Sequence, residues 1–301
     1  MQRGGSTRFV LSSEGVWLRA ALVGILTLLC VCVCFAGFPL RVRDARRELV
    51  VIRRKPQRIV SLAPSNTEIL YALGLGGRVV GVTKYCNYPP SAAKKPKVGD
   101  VQINTEAVVA LKPDLVLAHA VLNGSVIPRL EKLGLTVFAV NPRTLAEVAR
   151  DIRTIGRITA RPQTAERVAS KFEAAVRRIS ASCAKRPRRK VLVVIQSNPL
   201  WVAGPKTFVD EMIRLVHATN VAFDARPGFV TFSKELAISR NPDVIIAGVK
   251  PDADYFLKSK EWQGTNAVKH RRVYVIKSDL MTRAGPRLAD GLAELAEKLN
   301  Y

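Results

Sequence analysis

Short apolar runs bounded by turn residues recur along this chain. They read as buried strands at residues 58–62, 79–82, 115–117, 136–140, 190–195 and 273–276. Between them the apolar spacing becomes helical. Residues 67–73 form one such helix, with Ser65 or Asn66 placed to cap it and Gly74 to end it. Others cover 127–133, 208–216 and 287–299. Strands alternating with helices predict an α/β fold with mostly parallel sheets and crossover connections.

One phrase occurs twice. Glu106-Ala-Val-Val-Ala-Leu-Lys-Pro113-Asp114-Leu-Val-Leu-Ala118 is echoed by Glu235-Leu-Ala-Ile-Ser-Arg-Asn-Pro242-Asp243-Val-Ile-Ile-Ala247. Each copy reads as a short helix stopped by proline, then a buried strand. A unit repeated in the two halves of the chain implies two similar lobes, with Glu106 and Glu235 at matching places. Helix–proline–strand is also a common α/β connection, so chance is the competing account. Asn104 and Ser233 lie just upstream as N-caps, which puts each glutamate in a first helical turn, where the helix dipole favours a carboxylate.

Between residues 144 and 183 no strand is visible, and the helical pattern is broken only at Arg161-Pro162. Ala165, Val168, Ala169, Phe172, Val176 and Ile179 form one apolar stripe on a helix over 163–182. Such a helix is about 30 Å long, enough to tie two lobes together. The expected organisation is a signal peptide or membrane anchor (1–40), a basic linker (41–56), an N-terminal lobe (57–142), a helical connector (143–186) and a C-terminal lobe (187–301).

The formal charge of the 301 residues is +24, with a dense run at Lys185-Arg186-Pro-Arg188-Arg189-Lys190. Such a balance suits nucleic acid or an anionic membrane surface. No aromatic RNA-binding motif, zinc-finger spacing or helix-turn-helix accompanies it, so no nucleic-acid partner is expected and the run reads as a solvated interlobe face. No charged residue lies between Arg19 and Arg41, and residues 20–38 are almost wholly apolar behind Arg3, Arg8 and Arg19. That pattern predicts export, with a cleaved signal, a retained anchor or a lipoprotein as outcomes. Cys30, Cys32 and Cys34 follow Leu29, Val31 and Val33, where a lipobox needs a small residue. The basic flank from Arg41 to Lys55 opposes translocation. The expected location is the periplasm or the outer face of the cytoplasmic membrane. Outside the apolar segment, Cys86 and Cys183 are expected as free thiols.

Catalytic signatures are missing. Gly74-Leu-Gly76-Gly77 follows a helix and lacks a third glycine, so it ends that helix and cradles no phosphate. No nucleophile elbow or P-loop is present. His119, His217 and His270 have no metal-ligand spacing. Neither enzymatic activity, nor a resident cofactor, nor a metal site is expected.

Arg58-Ile-Val-Ser-Leu-Ala-Pro-Ser-Asn-Thr-Glu-Ile-Leu70, followed by Val79-Val-Gly-Val-Thr83 and Tyr88-Pro-Pro90, resembles the periplasmic binding proteins of cobalamin and iron-chelate ABC importers. Leu111-Lys-Pro-Asp-Leu-Val116, Pro199-Leu-Trp201-Val-Ala-Gly204 and Arg283-Ala-Gly-Pro-Arg287 extend the likeness, which is greatest to the cobalamin-binding members. The resemblance implies a helical-backbone architecture: two α/β lobes, mostly parallel, joined by one long helix, with a ligand between them. It implies a monomer that binds a small-molecule metal chelate and partners an ABC permease with its ATPase subunits. Glu106 and Glu235 align with carboxylates that dock onto the permease. Tyr85, Trp201 and Phe229 align with aromatic residues facing the ligand, and Arg283 with a cleft residue before the last helix. Two tryptophans of the cobalamin pattern are Val101 and His119 here, which leaves haem or a ferric siderophore as alternative ligands. His119 is then a candidate to approach a metal centre, or a satisfied, non-ligating histidine. Trp201 and Phe229 sit in apolar surroundings that suit core packing as well as a pocket.

Overall fold

Before either lobe begins, the chain folds back on itself. β1 (Leu40–Arg43) and β2 (Leu49–Ile52) pair antiparallel, with Arg41 opposite Val51 and Arg43 opposite Leu49. The stretch expected as a basic linker therefore carries a ribbon, because Val42, Val50 and Ile52 alternate inward and are buried. This computed structural model describes Met1 and residues 37–300, and Phe38 onward forms one unit. The apolar segment expected as signal or anchor lies almost wholly outside the described residues. Among those residues, no helix is long and apolar enough to cross a membrane.

The N-terminal lobe is built on a parallel sheet of β3 (Ile59–Ser61), β4 (Val79–Val82), β5 (Leu115–His119) and β6 (Val137–Val140), in the order β4-β3-β5-β6. Its strands are nearly all buried, as continuous apolar runs require when helices cover both faces. α1 (Pro64–Ala72) follows β3. Its N-cap is Ala63, with no side-chain cap, in place of the expected Ser65 or Asn66. Pro64 at the first helical position supplies the start, since its fixed φ suits a helix and its missing N–H is not needed there. α2 (Thr105–Ala110) precedes β5, and α3 (Ile127–Lys132) lies between β5 and β6.

Two antiparallel helices follow, α4 (Leu145–Ile158) and α5 (Pro162–Cys183). Gly156 allows their close approach, because a Cβ there would overlap Ala165. The 22 residues of α5 span about 33 Å, as expected for the connector.

The C-terminal lobe holds β7 (Lys190–Gln196), β8 (Trp201–Ala203), β9 (Thr219–Asn220), β10 (Phe229–Thr231), β11 (Val244–Ala247) and β12 (Val273–Val275). β7, β11 and β12 are parallel; β8 runs antiparallel to β7 and to β10, so this sheet is mixed. The helices α6 (Phe208–Leu215), α7 (Lys234–Ser239) and α8 (Leu288–Lys298) belong to this half of the chain, and α8 packs against α5.

The repeated phrase is a repeated structure. Asp114 accepts hydrogen bonds from the backbone N–H groups of Gln57 (2.8 Å) and Arg58 (2.9 Å), at the entry to β3. Asp243 accepts one from the N–H of Lys190 (2.8 Å), where β7 begins. Each aspartate thus pins the start of its lobe's first strand to the strand that follows the proline. Before the prolines, Lys112 and Asn241 both take left-handed backbone angles, φ 46° and 50°. One apolar cluster runs through both lobes, from Val79 and Leu115 past Phe172 to Val191 and Leu292. Each lobe adds a smaller core of its own, around Val116 and Ile127 in the first and Trp262 and Phe256 in the second.

Candidate functional site

The two lobes meet at a buried carboxylate. Glu68, in α1, has a side chain only 2% exposed. It accepts from Nη1 of Arg283 (3.1 Å) and from Nε (2.9 Å) and Nη2 of Arg287, both in the loop leading into α8. Gly285, between those arginines, packs over Glu68 and the Ser65 carbonyl. Arg283 also donates to Asn87 Oδ1 (2.8 Å) and to the Tyr85 carbonyl (3.2 Å), and pairs with Asp279 (2.8 Å). Arg287 stacks on the Tyr88 ring with its guanidinium carbon 3.7 Å from the centroid. Glu68 raises the Arg287 pKa further, chiefly through this hydrogen bond and against the opposing effect of burial. Two guanidiniums facing two carboxylates make the cluster neutral. Arg283, expected as a ligand contact, has most of its N–H groups committed to protein acceptors. Through Glu68 it bridges the two lobes.

Around this clasp, the rings of Tyr85 and Tyr88 stand 51% and 43% exposed on the loop after β4. Buried aromatic residues need no partner outside the core, whereas rings left half in water at a lobe junction offer a stacking surface. His119 ends β5 and is half-buried. Its Nδ1 accepts from the backbone N–H groups of Val121 (3.3 Å) and Leu122 (3.4 Å), and its own N–H donates to Asn123 Oδ1 (2.7 Å). Burial lowers its pKa, and an accepting Nδ1 corresponds to the tautomer with its proton on Nε2. Coordinating a metal through Nε2 requires moving that proton to Nδ1 and giving up both backbone bonds.

On the other lobe, Trp201 opens β8 beside the C-terminal end of β7, paired with Gln196 and Thr231. Phe229 pairs with Ala203, two residues further from that end but on the same face of the ribbon. Trp201 is 41% exposed and borders a recess of about 340 Å³ shared with Arg226, Phe232 and Leu236. Phe229 packs edge-on against buried Phe208, centroids 6.0 Å apart, which ties it partly to the core. These strands escape periodicity because three residues each are too few to show it. Trp201 and Phe229 are legible in the sequence only through the family motif.

Glu106 and Glu235 occupy equivalent first turns. Asn104 accepts from the Ala107 N–H (2.8 Å) and Ser233 from the Leu236 N–H (3.0 Å), as the capping pattern predicts. Both carboxylates are held below the usual range, mainly by backbone hydrogen bonds at their helix starts and then by Thr105 and Ser233 hydroxyls. Both are exposed and ionised. Glu106 also pairs with Arg129 on α3 (3.0 Å). Cys86 and Cys183 are buried and unpaired. Among the described residues, no three His, Cys, Asp or Glu side chains converge to hold a metal ion.

Comparison with known proteins places this geometry. Residues 59–280 match the Periplasmic binding protein family. An uncharacterised ABC transporter substrate-binding lipoprotein of Bacillus subtilis, YvrC, is 40% identical over 272 residues, covering 87% of this chain and 86% of that protein. Among solved structures, the periplasmic vitamin B12-binding protein BtuF of Vibrio cholerae is 27% identical, with a TM-score of 0.74 over 81% of this chain and 97% of its own. The periplasmic haem-binding protein RhuT of Roseiflexus sp. RS-1 is 29% identical, with a TM-score of 0.73 over the same shares.

Proposed function

Since the chain belongs to the periplasmic binding protein family and is a substrate-binding protein of the ABC-transporter type, we propose that it captures a cobalamin-like corrinoid between its lobes and delivers it to a membrane permease. The observation that carries the ligand class is an exposed aromatic side chain on each lobe, Tyr85 beside the charge-neutral clasp and Trp201 on β8. Large half-apolar faces that are already exposed suit a broad, flat ligand with little net charge. A neutral clasp offers no free guanidinium to a carboxylate-rich chelate. The likeness to the vitamin B12-binding protein of Vibrio cholerae points the same way.

Haem is the second reading, favoured by the likeness to the haem-binding protein of Roseiflexus. The two backbone hydrogen bonds that His119 Nδ1 accepts weigh against axial ligation by that side chain. The capped, ionised Glu106 and Glu235 are the proposed docking points for permease arginines, one per lobe.

Visible-absorbance titration with cobalamin, haem and a ferric siderophore separates the ligands. A corrinoid dissociation constant below about 10 μM, near −7 kcal/mol, is expected. Weaker corrinoid binding alongside tight haem binding would overturn the corrinoid assignment and leave the family untouched.

A further inference from the structure

The β1–β2 ribbon has two unlike faces. Inward, Val42, Val50 and Ile52 are buried against the core. Outward stand Arg41 and Arg43, directly opposite Val51 and Leu49, and Leu49 is 51% exposed. Arg53, Arg54 and Lys55 continue the exposed basic edge. Residues 41–55 carry seven basic side chains and two acidic ones. Among the described residues only Arg46 of the seven is in an ion pair, with Asp44 and Glu131. Among the described residues no carboxylate pairs with the other six.

This face is also held in place. Buried Asp44 accepts from the N–H groups of Arg46 (2.8 Å) and Glu48 (3.2 Å) and from the Arg46 guanidinium, and Ala45 N–H donates to the Ala139 carbonyl (2.9 Å) on β6. Arg46 then reaches Glu131 on α3 (2.8 Å), the helix whose Arg129 holds Glu106. The ribbon turn is thereby braced against the helix that contacts the N-terminal lobe's candidate docking carboxylate. In sequence the ribbon directly follows the charge-free stretch between Arg19 and Arg41.

We propose that the outer face of this ribbon rests on an anionic phospholipid surface. Alternating arginine and aliphatic side chains on a fixed, unpartnered sheet face match headgroup phosphates and the boundary beneath them. Contact there orients the body on the membrane. The inference rests on the protein working at a membrane, and it is independent of which ligand it carries.

Residues 38–301 hold the whole described core and serve for the test, free of the apolar segment. Sedimentation with phosphatidylcholine–phosphatidylglycerol vesicles at about 2:1 reads binding without ligand or permease. Binding is expected on these vesicles, absent on phosphatidylcholine alone, and lost as salt is raised to about 0.5 M. Arg41→Gln, Arg43→Gln and Arg53→Gln together should weaken it about 100-fold, with thermal stability unchanged since all three are exposed. A control neutralising Arg167, Lys171 and Arg178 on α5 should cost under about 5-fold. Equal losses in the two triple variants would mean that overall charge binds the vesicles, and would overturn the proposal. So would absent vesicle binding, including the case in which the same protein retards DNA.

Discussion

Glu68→Gln removes one charge from the clasp and leaves its shape. Arg283 and Arg287, only 11% and 18% exposed in their side chains, would then share Asp279 alone. Breaking a buried ion pair from one side costs about 3–5 kcal/mol, because the remaining charge keeps its desolvation penalty. Asp279, 38% exposed, offsets part of this, so the lower end of about 3 kcal/mol is expected. For a body of this size that lowers the melting temperature by about 6–12 °C. Differential scanning calorimetry of the wild type, Glu68→Gln, Arg287→Gln and the double variant forms a cycle. A coupling of about 1–3 kcal/mol is expected between the two sites. Small-angle scattering should also show a larger radius of gyration in Glu68→Gln, as the lobes lose their tie. Additive losses with no change in dimensions would show that the clasp holds nothing together.

Three further outcomes follow from other parts of the molecule. Asp151 on α4 is pushed up to about 7, mainly by burial, with Arg150 opposing and Glu147 adding to the shift. It is therefore neutral in the fold where an unfolded aspartate is ionised, so stability falls as pH rises from about 4 to 7; Asp151→Asn should add up to about 4 kcal/mol at pH 8 and nothing below pH 4 in urea unfolding, and a pH-independent effect would contradict it. Trp201→Ala should weaken corrinoid binding about 10- to 100-fold by calorimetric titration with little loss of stability, whereas Phe229→Ala should cost stability first, because its ring also packs on Phe208; unchanged affinity in Trp201→Ala removes that ring from the site. Glu106→Ala with Glu235→Ala should abolish uptake in cells while ligand affinity stays at the wild-type value, and normal uptake would refute docking through these carboxylates.

Much of the scaffold follows from local rules. Apolar runs define β3 to β6, β7 and β11 because strands buried on both faces tolerate no polar interruption. The repeated Pro-Asp phrase carries real pseudo-symmetry because the aspartate does the same work twice, on Arg58 in one lobe and Lys190 in the other. The caps at Asn104 and Ser233 are readable for the same reason: a short side chain serves backbone groups a few residues away. The start of α1 is less legible, since Pro64 competes with Ser65 and Asn66 and prevails through its fixed backbone.

The sequence by itself determined two α/β lobes, a connecting helix, two equivalent glutamates and, through motifs spread along the chain, a family. Only the tertiary structure decided what the charged residues of the cleft do. Glu68 and Arg283 are 215 residues apart in sequence, and no period or cap relates them. Their meaning arises because burial makes an unpaired charge costly, so the fold brings opposite charges together across the lobes. The same holds for the ribbon, where a stretch that reads as a basic linker becomes a two-faced sheet once Val42, Val50 and Ile52 find the core. Local pattern specifies elements; long-range desolvation and packing decide which side chains remain free to meet a ligand, a permease or a membrane.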